Sequence, residues 1–411
     1  MKILQVNSAA QVGGAETVAR QLREGCARAG HKSLMLAAHG KFFPWGRGIE
    51  PLYPRLLCRL DMSRFHTATE RMFPRFDWTD RKLGRLAGSD WDVINVHNFH
   101  GDYARVATLG ALARRKPVVW TFHGCWGFTG GCDHTSSCER YLDQCGQCPQ
   151  IGRWSFLQVD DTREQLRSKM DHFRDAPFAI VSPSRWLAEK IKGSRVGSNW
   201  DTRVIPNGVA AHVFNAARKR DPALRRELGM DPEATVILLV NRNFKLETKG
   251  FSMAREALSA VPPRGIQAIF AGMNGEWAAA ALPGLPSIAA GYVASRERLA
   301  RLYEASDIFL FASPEENFPC AVLEAMSAAC CVVATPTGGV AEQVEPGKSG
   351  LVARDISGAA LTAALREALS RPGLLRTLGE AARERVMRFF SEETMVSRYL
   401  KLYDEVAGQL E

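Results

Sequence analysis

The stretch IFLFASPEENFPCAVLEAM, residues 308–326, carries more structural information than any other in the chain. Ile308 to Phe311 form a short apolar run without alternation, as in a strand buried on both faces. Pro319 suits the first turn of a helix, and Glu324 then falls inside that helix. A strand, a short loop and a helix in this order are the unit of a doubly wound parallel sheet. The loop holds Glu316. Amide N–H groups at a helix start, here from Phe318 to Ala321, can hold a phosphate. A carboxylate placed as Glu324 is can accept a hydrogen bond from each of two neighbouring hydroxyls, as on a ribose.

Working outward, the same unit recurs. Apolar runs predict strands at 2–6, 33–37, 92–96, 117–122 and 178–181, then at 235–241, 267–271, 307–311 and 331–334. Helical patterns fall between them at 15–29, 103–115, 250–260, 295–305 and 320–329. Strand and helix alternate in both halves, so the expected fold class is α/β, with two doubly wound, Rossmann-like domains. Pro206-Asn207-Gly208 punctuates the pattern near its middle. The expected domains are 1–200, with a cysteine-rich insertion at 125–150, and 201–385. The stretch 384–411 reads as one long helix, basic at first. It either caps the second domain or, over 386–411, packs back toward the first.

Composition narrows the classes. The chain has 411 residues, a formal net charge of +9 and 46% hydrophobic residues, with no repeat and no low-complexity segment. This excludes a small disulfide-stapled module, a collagen-like repeat and a disordered polymer. No run of about 20 apolar residues predicts a spanning helix. The chain enters a strand at Lys2 with no signal-like segment before it, so a cytoplasmic location is expected. Residues 41–85 hold ten Lys/Arg and five Asp/Glu among aromatic residues. Such a segment either rests on an anionic membrane surface or forms ordinary surface helices. No recognition module accompanies it, so no nucleic-acid partner is expected.

Three further groups carry chemistry. Gly13-Gly14 follows the first strand, where adjacent glycines let backbone amides approach a phosphate or a sugar. Arg242 ends a strand and Lys249 follows seven residues later. Two cations at a sheet's carboxyl end can neutralise a departing diphosphate. Of the ten cysteines, five crowd into 125–148. Cys132, Cys138, Cys145 and Cys148 make the best tetrathiolate set for a structural zinc. Plain reduced thiols and disulfides are the alternatives, His134 is a spare ligand, and Cys125 is expected to line a cleft.

The ordered set resembles the retaining GT-B glycosyltransferases of family 4. Glu316 and Glu324 match that family's E-x7-E motif, Arg242 and Lys249 its basic pair, and Gly13-Gly14 its glycine loop. Ser182-Pro183-Ser184, Pro206-Asn207-Gly208-Val209 and Thr337-Gly338-Gly339 with Glu342 match further markers. Asn317-Phe318-Pro319 fills the Gly-Phe-Pro position, with Asn317 departing from the usual glycine. Trp126-Gly127-Phe128-Thr129-Gly130 and Cys148-Pro149 are similar to an insertion found in exopolysaccharide transferases of the colanic-acid type.

The resemblance implies a GT-B fold whose two domains face each other across a cleft. It implies a nucleotide-diphosphate sugar as donor, bound through Gly13, Gly14, Arg242, Lys249, Asn317, Phe318, Pro319, Cys320, Ala321 and Glu324. Arg242 and Lys249 would stabilise the leaving diphosphate, Glu324 would bind the ribose, and Glu316 and His123 would contact the transferred sugar. No catalytic metal is expected. The implied acceptor is a glycan or a polyprenyl-diphosphate-linked glycan in polysaccharide biosynthesis, at the inner face of the plasma membrane. A GT-B sugar-nucleotide epimerase and a non-catalytic glycan- or nucleotide-sugar-binding scaffold are the alternatives.

Overall fold

The computed structural model describes residues 1–10, 13–39, 48–52, 78–100, 103–153, 157–371 and 373–408. Most of the basic, aromatic stretch 41–85 therefore lies outside the described residues. The chain divides into two units, Met1–Pro206 with Met395–Glu411, and Asn207–Thr394.

The first unit is built on a parallel sheet of β1 (Lys2–Ala9), β2 (Lys32–His39), β3 (Ile49–Pro51), β4 (Val93–Val96), β5 (Val118–Thr121), β6 (Phe178–Ser182) and β7 (Asp201–Val204). Its strand order is β3-β2-β1-β4-β5-β6-β7. The second unit has β8 (Thr235–Asn243), β9 (Ile266–Met273), β10 (Ser287–Gly291), β11 (Ile308–Phe311), β12 (Cys331–Ala334) and β13 (Leu351–Val352), in the order β10-β9-β8-β11-β12-β13. All pairings within both sheets are parallel.

Burial explains the strand sequences. In the second sheet Val236, Leu238, Phe309, Phe311 and Val332 enter one core, while Ile237, Leu239, Ile308, Leu310 and Val333 enter the core on the opposite face. Both faces are dry, so the strands read as continuous apolar runs. The first sheet differs. Leu4, Val6, Ile94, Val96, Val118 and Trp120 fill one core. The opposite face carries buried Gln5, Asn95 and Thr121, which meet the last helix, Glu392–Ala407.

The strand order reverses between β1 and β4 in the first sheet, and between β8 and β11 in the second. At such switch points the loops leave in opposite directions and open a crevice at the carboxyl ends of the strands.

The long helical stretch expected from about 384 onward is two helices. Leu374–Phe389 ends at Phe390, and Glu392–Ala407 follows. The break is fixed from outside, because the Val209 amide donates to the Phe390 carbonyl and the Glu392 amide to the Val209 carbonyl. Pro319 precedes the helix Cys320–Ser327 as its cap residue instead of entering its first turn. Strands β3, β7, β10 and β13 are not among those expected from the sequence. They are short or lie at the sheet edges, and the residues of β7 and β10 are half-buried or exposed.

The helix Gly14–Arg28 meets the last helix at Gly25, where an added Cβ would lie 2.3 Å from a Val396 methyl. Helix propensity favours alanine by about 1 kcal/mol, and overpacking costs about 1–3 kcal/mol. Gly25→Ala alone should therefore lower stability in urea unfolding. The same change in a Val396→Ala background should be neutral or stabilising. Equal effects in both backgrounds would refute the contact.

Candidate functional site

The β8–β11 crevice gathers most of the charged residues singled out in the sequence. Arg242 is exposed in the last residues of β8. Lys249 follows in a single 3-10 turn, Glu247–Lys249. Its Nζ lies 2.6 Å from Glu316 Oε1 in the loop after β11, with both side chains largely covered. Ser313 Oγ stands 3.3 Å from the same carboxylate oxygen and 3.0 Å from the Thr248 carbonyl, joining the two loops. Gly250 adopts φ 67°, and a Cβ there would sit 1.9 Å from the Ala312 carbonyl oxygen. Glycine is required for the Lys249 turn to lie against the end of β11.

The loop after β12 closes the far side. The Glu316 amide donates to Thr337 Oγ1 at 3.2 Å, and Thr337 Oγ1 donates to the Pro314 carbonyl at 3.0 Å. Gly338 has φ 52°, and a Cβ there would lie 1.8 Å from the Glu316 carbonyl oxygen. The Gly339 amide donates to the Asn317 carbonyl. Thr337-Gly338-Gly339 thus holds the Glu316 loop by its backbone.

Asn317 and Phe318 are buried, and Phe318 packs edge-on against Phe390. The Phe318 side chain serves the core. Cys320 and Ala321 are half-buried in the first turn of Cys320–Ser327. Glu324 is half-buried one turn further on and accepts from the Tyr303 hydroxyl at 3.2 Å. Burial pushes its carboxyl up from the usual 4.5 to about 7, with Arg296 and Tyr303 pulling the other way.

In the first unit, Gly13 precedes the helix Gly14–Arg28 in an extended, positive-φ conformation open to glycine. Glu16 folds back over it, so a Cβ at Gly13 would meet a Glu16 carboxylate oxygen at 2.3 Å. The positive end of that helix already faces a carboxylate. His123 follows β5, half-buried, with its Nε2 3.0 Å from His97 Nδ1. Burial lowers the His123 pKa to about 4 and holds that of His97 well below its usual range, so both rings are neutral near pH 7. Sequence reasoning passed over His97. Its signal was its place directly after β4, at the switch point.

The cysteine loop packs onto the same unit. Cys132, Cys138, Cys145 and Cys148 line one small cavity, together with Tyr141 and Thr162. Among the described residues the cysteines are free thiols, and no three His, Cys, Asp or Glu side chains are drawn together tightly enough to hold a metal ion. Cys125, expected to line a cleft, is instead fully buried in the core among Phe122, Phe128 and Tyr141. His134 turns toward Asp133, at 4.0 Å. Among the described residues no helix is long and apolar enough to cross a membrane.

These features agree with what the chain is similar to. Residues 12–213 match the model of Glycosyltransferase Family 4, and residues 221–385 that of Glycosyl transferases group 1. The chain is a GT-B glycosyltransferase. It is 23% identical to the putative colanic acid biosynthesis glycosyl transferase WcaC of Escherichia coli, over 99% of this chain and all of that one. Its fold matches WaaG, a glycosyltransferase involved in lipopolysaccharide biosynthesis, with a TM-score of 0.70 at 14% identity, covering 99% of this chain and 100% of that one. It also matches Anabaena HepE in complex with UDP-glucose, with a TM-score of 0.69 at 18% identity, covering 98% and 100%.

The raised Glu324 carboxyl has a consequence for stability. In the pH window from about 4.5 to 7 the folded transferase keeps a proton that the unfolded chain releases, so this group's contribution falls as pH rises and levels off above about 7. Glu324→Gln should remove that slope. Its melting temperature relative to wild type should rise between pH 5 and pH 8. A constant offset across that range would show that Glu324 titrates normally.

Proposed function

We propose that this transferase moves a sugar from a nucleotide-diphosphate sugar to a glycan or polyprenyl-diphosphate-linked acceptor in polysaccharide biosynthesis, with retention of anomeric configuration. The observation that carries the reading is the Lys249–Glu316 pair at the β8–β11 switch point, with Glu324 in the helix that follows. In this reading Lys249 serves as a cation for a diphosphate, Glu316 as a carboxylate for the sugar and Glu324 as a second carboxylate for the ribose. The named relatives support the wider reading, one in colanic acid biosynthesis, one in lipopolysaccharide biosynthesis and one in complex with UDP-glucose.

In this reading Arg242 and Lys249 neutralise the departing diphosphate, whose charge grows as the bond to the sugar breaks. The Cys320 and Ala321 amides add to that field. Glu324 accepts from the ribose hydroxyls. Glu316 contacts the sugar ring, and His123 is assigned to the sugar by the family resemblance. The acceptor oxygen bonds to the anomeric carbon on the face that the diphosphate leaves. The acceptor proton passes to a phosphate oxygen of the donor, so no protein nucleophile is needed. We place the enzyme at the inner face of the plasma membrane, where a lipid-linked acceptor would lie.

We also propose that the four cysteines, which line one cavity but are not drawn together as a ligand set in this arrangement, close around a structural zinc when it binds. Burial raises the thiols of Cys145 and Cys148 above their usual range, with the Gly130 and Gln150 amides pulling the other way, so a bound zinc would have to displace their protons. Lys169 is fully buried beside the loop, its Nζ donating to the carbonyls of Trp126 (2.6 Å) and Thr129 (2.8 Å). Burial lowers the Lys169 pKa to about 7, and the countercharge of an anionic tetrathiolate zinc complex would hold the proton on it. Purified protein should carry a single zinc ion per chain, and Cys145→Ser and Lys169→Met should each weaken its retention. Metal-free protein with unchanged melting would refute the site.

The function is tested with purified enzyme and a panel of UDP-, GDP-, ADP- and dTDP-sugars. One nucleotide family should raise the melting temperature, and NMR of the product should show a retained anomeric configuration. Lys249→Ala should lower kcat by roughly 100-fold while donor affinity falls much less. Equal loss in binding with kcat preserved would remove Lys249 from the leaving-group role.

A further inference from the structure

We propose that His97 and Gln5 are positioning residues that set the orientation and tautomer of His123, and that Tyr403 in the last helix holds Gln5 to that task. The proposal rests on the reading of His123 as a sugar-contacting group. Its geometry is a chain of buried polar contacts, all within the first unit. His97 Nδ1 lies 3.0 Å from His123 Nε2, and His97 Nε2 lies 2.9 Å from Gln5 Oε1. Gln5 Nε2 donates to the Tyr403 hydroxyl at 3.3 Å, and Asn95 Nδ2 donates to the same oxygen at 2.7 Å. Thr121 Oγ1 donates to Asn95 Oδ1 at 3.0 Å and stands 3.0 Å from the Tyr399 hydroxyl. Gln5, Asn95, His97, Thr121, Tyr399 and Tyr403 are each no more than 1% exposed.

The direction of the chain follows from the donor inventory. Two neutral imidazoles share one N–H, so one ring donates and the other accepts. As the Gln5 amide is oriented, its oxygen faces His97, which therefore carries its proton on Nε2 and accepts at Nδ1. His123 must then donate from Nε2, so its tautomer and ring plane are both set. The rings lie 21° from parallel with centroids 5.3 Å apart. Tyr403 accepts from the Gln5 nitrogen and from Asn95 Nδ2, so turning the Gln5 amide over would oblige the Tyr403 hydroxyl to change from acceptor to donor toward it.

Histidine-labelled protein at pH 7 gives the test, through nitrogen-resolved NMR of the two rings. Wild type should show both protonated on Nε2. Gln5→Leu should mix the tautomers of His97 and His123 and lower kcat by up to about 100-fold, with donor KM little changed. Tyr403→Phe, which keeps the ring in the core, should act in the same direction more weakly and covers the case in which Gln5→Leu does not fold. Tautomers and kcat both unchanged in folded Tyr403→Phe and Gln5→Leu would overturn the proposal. The NMR reading judges the coupling without reference to turnover. If His123→Ala transfers sugar normally while the tautomers still respond to Gln5, the assignment of His123 to the sugar has failed, and the positioning role falls with it.

Discussion

Each sheet of this transferase is parallel and covered on both faces, and that constraint decides where chemistry can occur. A strand buried above and below has no side chain to offer a substrate. Function is pushed to the loops at the carboxyl ends, and most strongly to the switch point where neighbouring loops part. In the second unit Lys249, Glu316 and Thr337 come from three loops that follow β8, β11 and β12. Their mutual placement is fixed by backbone contacts at Gly250 and Gly338, where no other residue fits. The charged side chains therefore need little support from one another.

The two carboxyl edges differ in electrostatics. The second carries exposed Arg242, a Lys249–Glu316 pair and a Glu324 carboxyl raised by burial. A diphosphate arriving there meets cations and helix-start amides. The first edge carries the neutral His97 and His123 rings together with two carboxylates, Glu16 over the glycine turn and Asp133 beside His100. An anion would gain less there, while a polar, uncharged group such as a sugar hydroxyl would find both donors and acceptors. This asymmetry agrees with a donor held chiefly by the second unit.

Much of this was legible in the sequence, and the rest was hidden for identifiable reasons. β12 appears at its expected residues, 331–334, because Cys331 to Ala334 are all buried. β7 and β10 were silent because half-exposed strands need no apolar run. Glu316, Glu324 and Lys249 could be singled out by spacing. Their pairing partners could not, since Tyr303 and Arg296 reach Glu324 from another helix. The break at Phe390 is set by Val209, far away in the chain, so no local pattern marks it. Cys125 was set apart from the other loop cysteines and expected to line a cleft, yet it turns inward into the core, which only packing reveals.

The polar face of the first sheet poses a further physical question. Gln5, Asn95 and Thr121 are buried polar side chains that face the last helix. Replacing both partners of a buried hydrogen bond by apolar groups of the same shape is often neutral or stabilising. Stability alone therefore gives little reason for polar side chains at these positions. A hydrogen-bonded row differs from an apolar one in having direction and a unique arrangement, and a half-satisfied row would be worse than none. Here the row is satisfied from Tyr399 to His97 and ends at His123, directly after the strand that delivers it to the carboxyl edge. What the polar face contributes beyond packing is a fixed orientation for the one side chain of that chain that reaches the edge of the sheet.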